Sequence, residues 1–192
     1  MALSIQSGLI STRKCLRKQL RRKRPKEEQK QIVPVEIDIQ ADAYIPEYYI
    51  TDGRQKIEMY KRFRNIETLS ELEDLQSDMI DRFGEYPEEV EYLFTMTELK
   101  VHALEVGIES VKQEQNKITM LFSESGTAGI RGDIVMQIIG EFGRMVGVGM
   151  EGTQLKITIN VQNKPLKEWL YQVKSLAEKL RGAMKERASA EN

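Results

Sequence analysis

The stretch from Thr68 to Pro87 sets a helix, a stop and a restart in close succession. Thr68 followed three residues later by Glu71 is a capping-box pair, in which the hydroxyl satisfies one orphan amide and the carboxylate reaches back to another. Leu69, Leu72, Leu75, Met79, Ile80 and Phe83 recur at helical spacing and predict one apolar face. Glu71, Asp74, Asp78 and Asp81 lie away from it, within an arc of roughly 80° at about 100° per residue. Gly84 supplies the left-handed backbone that ends a helix. Pro87, with Glu88 and Glu89 behind it, opens the next. Acidic runs on helices are mostly solvated faces. The sharper reading of this stripe is a docking surface for a basic partner.

The rest of the body fits around this stretch. Val33–Ile39 alternates apolar and polar residues and predicts a strand, with Pro34 placing it at a sheet edge or opening it. An aromatic connector follows over Ala43–Ile50. Asp52 caps a helix whose inward residues are expected to be Ile57, Tyr60, Phe63 and Ile66. Its basic residues Arg54, Lys56, Lys61, Arg62 and Arg64 are either solvated, paired with the next helix, or a phosphate site. The third helix runs from about Pro87 to Val106 and stops at Gly107, with His102 expected at its surface or boundary. Ile108–Gln113 and Lys117–Phe122 predict two strands, Ser123–Gly129 a small-residue loop, and Ile130–Phe142 a short helix. Arg144–Met150 and Leu155–Val161 predict a hairpin, and Pro165 opens an amphipathic last helix that frays from about Gly182. The fold class is therefore α+β: a single domain with an N-terminal strand, three helices, two hairpin-like strand pairs separated by a helix, and a C-terminal helix.

Charge divides the chain differently. Residues 1–30 carry a net +8 and the remainder a net −9, although the whole chain is near neutral. The basic head holds Arg13, Lys14, Arg17, Lys18, Arg21, Arg22, Lys23 and Arg24, which could contact phosphates. It has no aromatic residue for base stacking, so weak, non-specific nucleic-acid binding is the version expected. The domain boundaries expected are thus 1–30 for the head, 31–186 for the folded body and 187–192 for a frayed tail.

Several classes are excluded by composition and pattern. A single cysteine, Cys15, allows no internal disulfide, and one histidine makes a His/Cys metal site a poor expectation. Gly126, Gly129 and Gly132 are spaced by three but lack the lysine and hydroxyl of a nucleotide-cradling loop. No run approaches about 18 apolar residues, so no membrane partner is expected. No nucleophile–base constellation is placed by motif. A non-enzymatic protein without cofactor or small-molecule substrate is the expectation.

Ile45-Pro46 through Tyr49-Ile50, Arg54 with Tyr60-Lys61-Arg62, Ile80-Asp81-Arg82-Phe83-Gly84 with Pro87, and the Gly147–Gly152 turn together resemble the C-terminal domain of bacterial transcription-repair coupling factors. The resemblance spans about Val33 to Met184. It implies a regulatory domain of a cytoplasmic DNA translocase of nucleotide-excision repair. In that family the domain docks on a UvrB-like N-terminal module and masks UvrA binding. By motif, the docking acids fall on Asp78 and Asp81, which leaves Glu71 and Asp74 as weaker candidates. The motor is absent from this chain. Where the family carries the tail of its motor region, residues 9–21 instead read as an out-of-frame version of it, so a truncated or frameshifted copy is expected. The alternative is a small nucleic-acid-binding protein acting through its basic arm.

Overall fold

The computed structural model describes residues 35–190, with side chains to Met184. The basic head, its expected phosphate contacts and its out-of-frame reading lie outside the described residues. So do Pro34 and the last two residues.

The elements are β1 (Glu36–Asp38), α1 (Gly53–Asn65), α2 (Leu69–Phe83), α3 (Glu88–Val106), β2 (Ile108–Glu114), β3 (Lys117–Phe122), α4 (Glu124–Gly129), α5 (Gly132–Phe142), β4 (Val146–Glu151), β5 (Gln154–Asn160) and α6 (Leu166–Ala190). A single 3-10 turn, Gly143–Met145, leads into β4. The α+β expectation holds. The two expected hairpins join through β3 and β5 into one mixed sheet of order β1-β2-β3-β5-β4. β1 lies parallel to β2 at one edge, and the other pairings are antiparallel.

Two hydrophobic cores flank α3. One gathers Ile45, Ile50, Met59, Phe63, Leu72, Leu75 and Met79 from the connector, α1 and α2. The other gathers the helix-side residues of the sheet with α5 and α6. α3 supplies Val90, Phe94 and Val101 to the first and Leu99, Ala103 and Val106 to the second. A helix buried on both sides must carry apolar residues on both, and this one does.

α3 and α6 run parallel, and three ion pairs mark their register. Lys167 meets Glu91 at 3.0 Å, Lys174 meets Glu98 at 3.1 Å and Arg181 meets Glu105 at 2.5 Å. Both rows repeat every seven residues, the spacing at which side chains return to one helix seam. His102 sits beside the middle rung and is 1% exposed, which corrects its expected surface placement. Its Nε2 lies 3.5 Å from Glu98 Oε1, and neither ring nitrogen has a hydrogen bond among the described residues. His102 chiefly, and Lys174 after it, hold the Glu98 carboxyl below the usual range against the opposing effect of burial.

Other local expectations shift for tertiary reasons. Ile57 is 57% exposed, and Met59 takes the inward place on α1. Ile80 is 39% exposed. Ser123–Gly129 forms a helical turn capped by the Ser123 hydroxyl, which accepts from Gly126 N at 3.0 Å. α6 continues through Gly182 to Ala190. One glycine of the trio at 126, 129 and 132 also finds its reason. Gly107, at φ +81° after α3, lies against Gly126; a Cβ on Gly126 would come within 2.3 Å of the Gly107 carbonyl oxygen. Gly126 is there for close backbone approach.

Gly126→Ala should therefore cost about 1–3 kcal/mol, the usual range for overpacking, with an unchanged denaturant slope in urea unfolding. Glu98 has a depressed pKa, so its contribution is present above its unfolded value, about 4.3, and is lost as pH falls through the folded value. Glu98→Gln should flatten the acid limb of a stability-versus-pH profile. An acid limb as steep as in the unsubstituted chain would show that this carboxylate does not carry it.

Candidate interdomain docking face

The acidic stripe lies on α2, and its four carboxylates do different work. Thr68 Oγ1 accepts from Glu71 N at 3.3 Å, while Glu71 Oε2 accepts from Thr68 N at 3.1 Å and from Glu67 N at 2.9 Å. Those backbone bonds hold the Glu71 carboxyl below its usual range. Glu71 is thus occupied by the cap the sequence predicts.

Asp78 faces α1. Its Oδ2 accepts from Arg62 across the helix pair and lies 3.4 Å from Arg82 Nη1 one turn on. Arg82 also approaches Glu58 of α1 at 3.6 Å and stacks over the Phe83 ring at 5.0 Å. Arg62 first, and Arg82 after it, hold the Asp78 carboxyl below the carboxylate range. Of the basic residues on α1, Arg62 therefore takes the paired reading. Both arginines meet Oδ2, so Oδ1 lies outside both contacts. Asp74 and Asp81 are exposed and make no ion pair among the described residues. Sequence spacing groups the four acids together; the structure separates Asp74 and Asp81 from the two already engaged.

The turn after the stripe is braced from the connector. Gly84, at φ +81°, returns its N–H to the Ile80 carbonyl at 2.9 Å. The Tyr49 hydroxyl donates to the Gly84 carbonyl at 3.0 Å, and its ring meets Phe83 edge-on at 6.0 Å. Tyr86 packs on Phe94 at 5.1 Å, and Ile45 N donates to the Tyr60 hydroxyl at 2.8 Å. Several of the motif residues that carry the family resemblance, Ile45, Tyr49, Tyr60, Arg62, Phe83 and Gly84 among them, are therefore this brace. They hold α2 against α1 and α3, and so set where the acids stand.

A groove of about 650 Å³ lies elsewhere, between α3, α6 and the end of α5, lined by Tyr92, Phe142, Met145, Leu170 and Tyr171 with both signs of charge at its rim. Burial chiefly, and Glu88 after it, push the Tyr92 hydroxyl up to about 12. Among the described residues, no group of three or more His, Cys, Asp or Glu is placed to hold a metal ion, and no helix is long and apolar enough to cross a membrane.

Fold and site together define an α+β domain that presents a braced acidic helix. The family model described as the TRCF domain matches residues 39–131. The chain is 46% identical over 155 residues to the transcription-repair-coupling factor of Bacillus subtilis (strain 168), covering 81% of this chain and 13% of that protein. It is 36% identical over 156 residues to that of Staphylococcus aureus (strain USA300), with the same coverage of 81% and 13%. A crystal structure of the C-terminal domain of transcription-repair coupling factor matches with a TM-score of 0.74 at 31% identity, over 80% of this chain and 95% of that one. This chain belongs to the transcription-repair coupling factor family and carries its C-terminal domain. It spans 13% of the length of the curated relatives it matches.

Asp78 and Asp81 should part company in stability measurements. Asp78 is depressed by its arginines, so its contribution is present above about 3.9 and is lost as pH falls through the folded value. With its side chain 35% exposed, the pair is discounted for solvent. Asp78→Asn should cost less than about 1 kcal/mol at neutral pH and nothing in strong acid. Asp81→Asn should leave stability within about 0.5 kcal/mol of the original in the same urea titration.

Proposed function

We propose that this chain is an interaction and regulatory domain without catalytic activity of its own, acting in the cytoplasm by docking on the UvrB-like N-terminal module of a coupling factor. In a full-length relative, that contact would mask the surface used by UvrA until RNA polymerase is engaged. The observation that carries this reading is the unequal state of the α2 acids. Asp74 and Asp81 are exposed and unpaired among the described residues, and Asp78 is held still beside Asp81 with Oδ1 outside its arginine contacts. A basic partner finds charge there without first breaking the α1–α2 brace.

The energetics suit a contact that must release. Exposed ion pairs contribute about 0–1 kcal/mol each, so a few of them give a coupling of the size that a competing partner can overturn. Screening should weaken the contact within the physiological salt range, where the Debye length is about 8 Å.

The test is binding of the purified chain to the N-terminal module of a full-length coupling factor from the same cell, by calorimetry over a salt series. Affinity should fall as salt rises. Asp81→Arg should lower it by about tenfold, or 1.4 kcal/mol, and Asp74→Arg by less, with unfolding midpoints unchanged. Affinity indifferent to both reversals would remove the stripe from the interface.

A further inference from the structure

α1 departs from the charge of the body around it. Residues 31–192 carry a net −9, yet α1 holds Arg54, Lys56, Lys61, Arg62 and Arg64 against the single acid Glu58. Arg62 meets Asp78 and Glu58 approaches Arg82, so one flank of the helix is turned to α2. Arg54, Ile57, Lys61 and Arg64 lie on the other flank, within an arc of roughly 80° at about 100° per residue. All four are exposed, Ile57 at 57%. The side chains of the three cations have no partner among the described residues. Ile57 forgoes the burial that Met59 obtains two residues on, and it does so in the middle of unpaired positive charge.

The spacing says what shape fits. Positions 54, 57, 61 and 64 advance by three, four and three, the seam along which one helix lies on another. The molecule already contains such a seam, where α6 sets Lys167, Lys174 and Arg181 seven apart against Glu91, Glu98 and Glu105. Arg54 and Lys61 repeat that interval on α1, and so do Ile57 and Arg64. A helix laid along this flank needs carboxylates opposite the three cations and an apolar side chain opposite Ile57. The stripe is about 15 Å long, which about three helical turns cover.

Other occupants fit less well. A phosphate backbone gives Ile57 nothing to pack on and meets the exposed carboxylates of Glu58 and Asp52 beside it. The chain's own residues 1–30 carry +8 and are repelled. The α3 glutamates of a second copy are held by its α6. The α2 helix of a second copy offers Asp74 and Asp81 seven apart, but sets Ser77 between them where Ile57 needs an apolar residue.

We propose that the outer flank of α1 is an interaction surface whose partner is an acidic amphipathic helix of another protein, with an apolar residue anchored on Ile57. Such a helix pairs its carboxylates with Arg54, Lys61 and Arg64 and covers the exposed isoleucine. The contact uses neither Asp74 nor Asp81, and stands or falls apart from the docking reading.

The probes are fluorescent helical peptides of about 18 residues on an alanine–glutamine background, titrated with the full chain. Each carries glutamate at three seam positions and leucine at the remaining one, second in one peptide and third in the other, to cover both helix directions. One of the two should bind, and Lys61→Glu and Arg64→Glu should each weaken it by about tenfold. Ile57→Ser should weaken it by about fivefold and leave its salt dependence unchanged. Replacing the peptide's leucine with serine should cost as much. Asp81→Arg should change nothing, and unfolding midpoints should hold throughout because every substituted side chain is exposed. Binding that survives both reversals on α1 overturns the proposal, since the basic head is then the binder. A serine peptide bound as tightly as the leucine one overturns it too. So does duplex DNA that loses as much affinity as the peptide with Lys61→Glu, or self-association in sedimentation velocity that Lys61→Glu abolishes.

Discussion

Everything in this domain hangs on α3 having no solvent side over most of its length. Val90, Phe94 and Val101 need the helical layer, and Leu99, Ala103 and Val106 need the sheet and α6. Burial of each large apolar side chain is worth about 1.5–3 kcal/mol, so leaving either flank open would forfeit several times that. A helix of this kind has to sit between two layers. The layers are then obliged to bring their own amphipathic elements to it. α2 does so with its Leu72–Leu75–Met79 face, and the acids on its flank are carried to the surface as a result.

The brace and the proposed docking face share one residue. Asp78, with Glu58 beside Arg82, offsets Arg62 and Arg82, which would otherwise stand as two cations between α1 and α2. A carboxylate fixed in this way has lost its rotamer freedom already, so less entropy remains to be surrendered when a partner arrives. Asp81 has the opposite character. It is free to reorient, contributes little to the fold, and can respond to a partner's charge alone. The division gives the face one preorganised acid and one adaptable one. It also explains why the family motif is legible around this turn: Tyr49, Tyr60, Arg62 and Gly84 serve the geometry that places the acids.

The order and type of most elements were legible because their signals are local. The Thr68–Glu71 cap, the Gly84 and Gly107 stops and the Gly152 turn depend on neighbours in sequence. What failed depends on distant chain. Nothing local tells that β3 pairs with β5, that Gly126 abuts Gly107, or that Ile57 faces water while Met59 faces the core. A polar residue such as His102 on a mostly apolar helix reads as surface until the second layer is known. One distant signal does stand in the sequence: Glu91, Glu98 and Glu105 share their seven-residue spacing with Lys167, Lys174 and Arg181. Within the site, position could be read from spacing, but not which of four similar acids was already spoken for.

The α3–α6 ladder has a consequence for how the chain acquires its shape. Each rung joins residues 76 apart in sequence. Loop closure over that separation must come before the ladder can reward it, which makes docking of α6 a late and slow step. During synthesis α6 also leaves the ribosome after every other described element. Until then the half of α3 that belongs to the second core is bare, and the nascent chain carries an apolar helix face with a row of three glutamates along its margin. Those acids keep that margin soluble while it waits, and afterwards meet the cations that α6 sets at the matching interval.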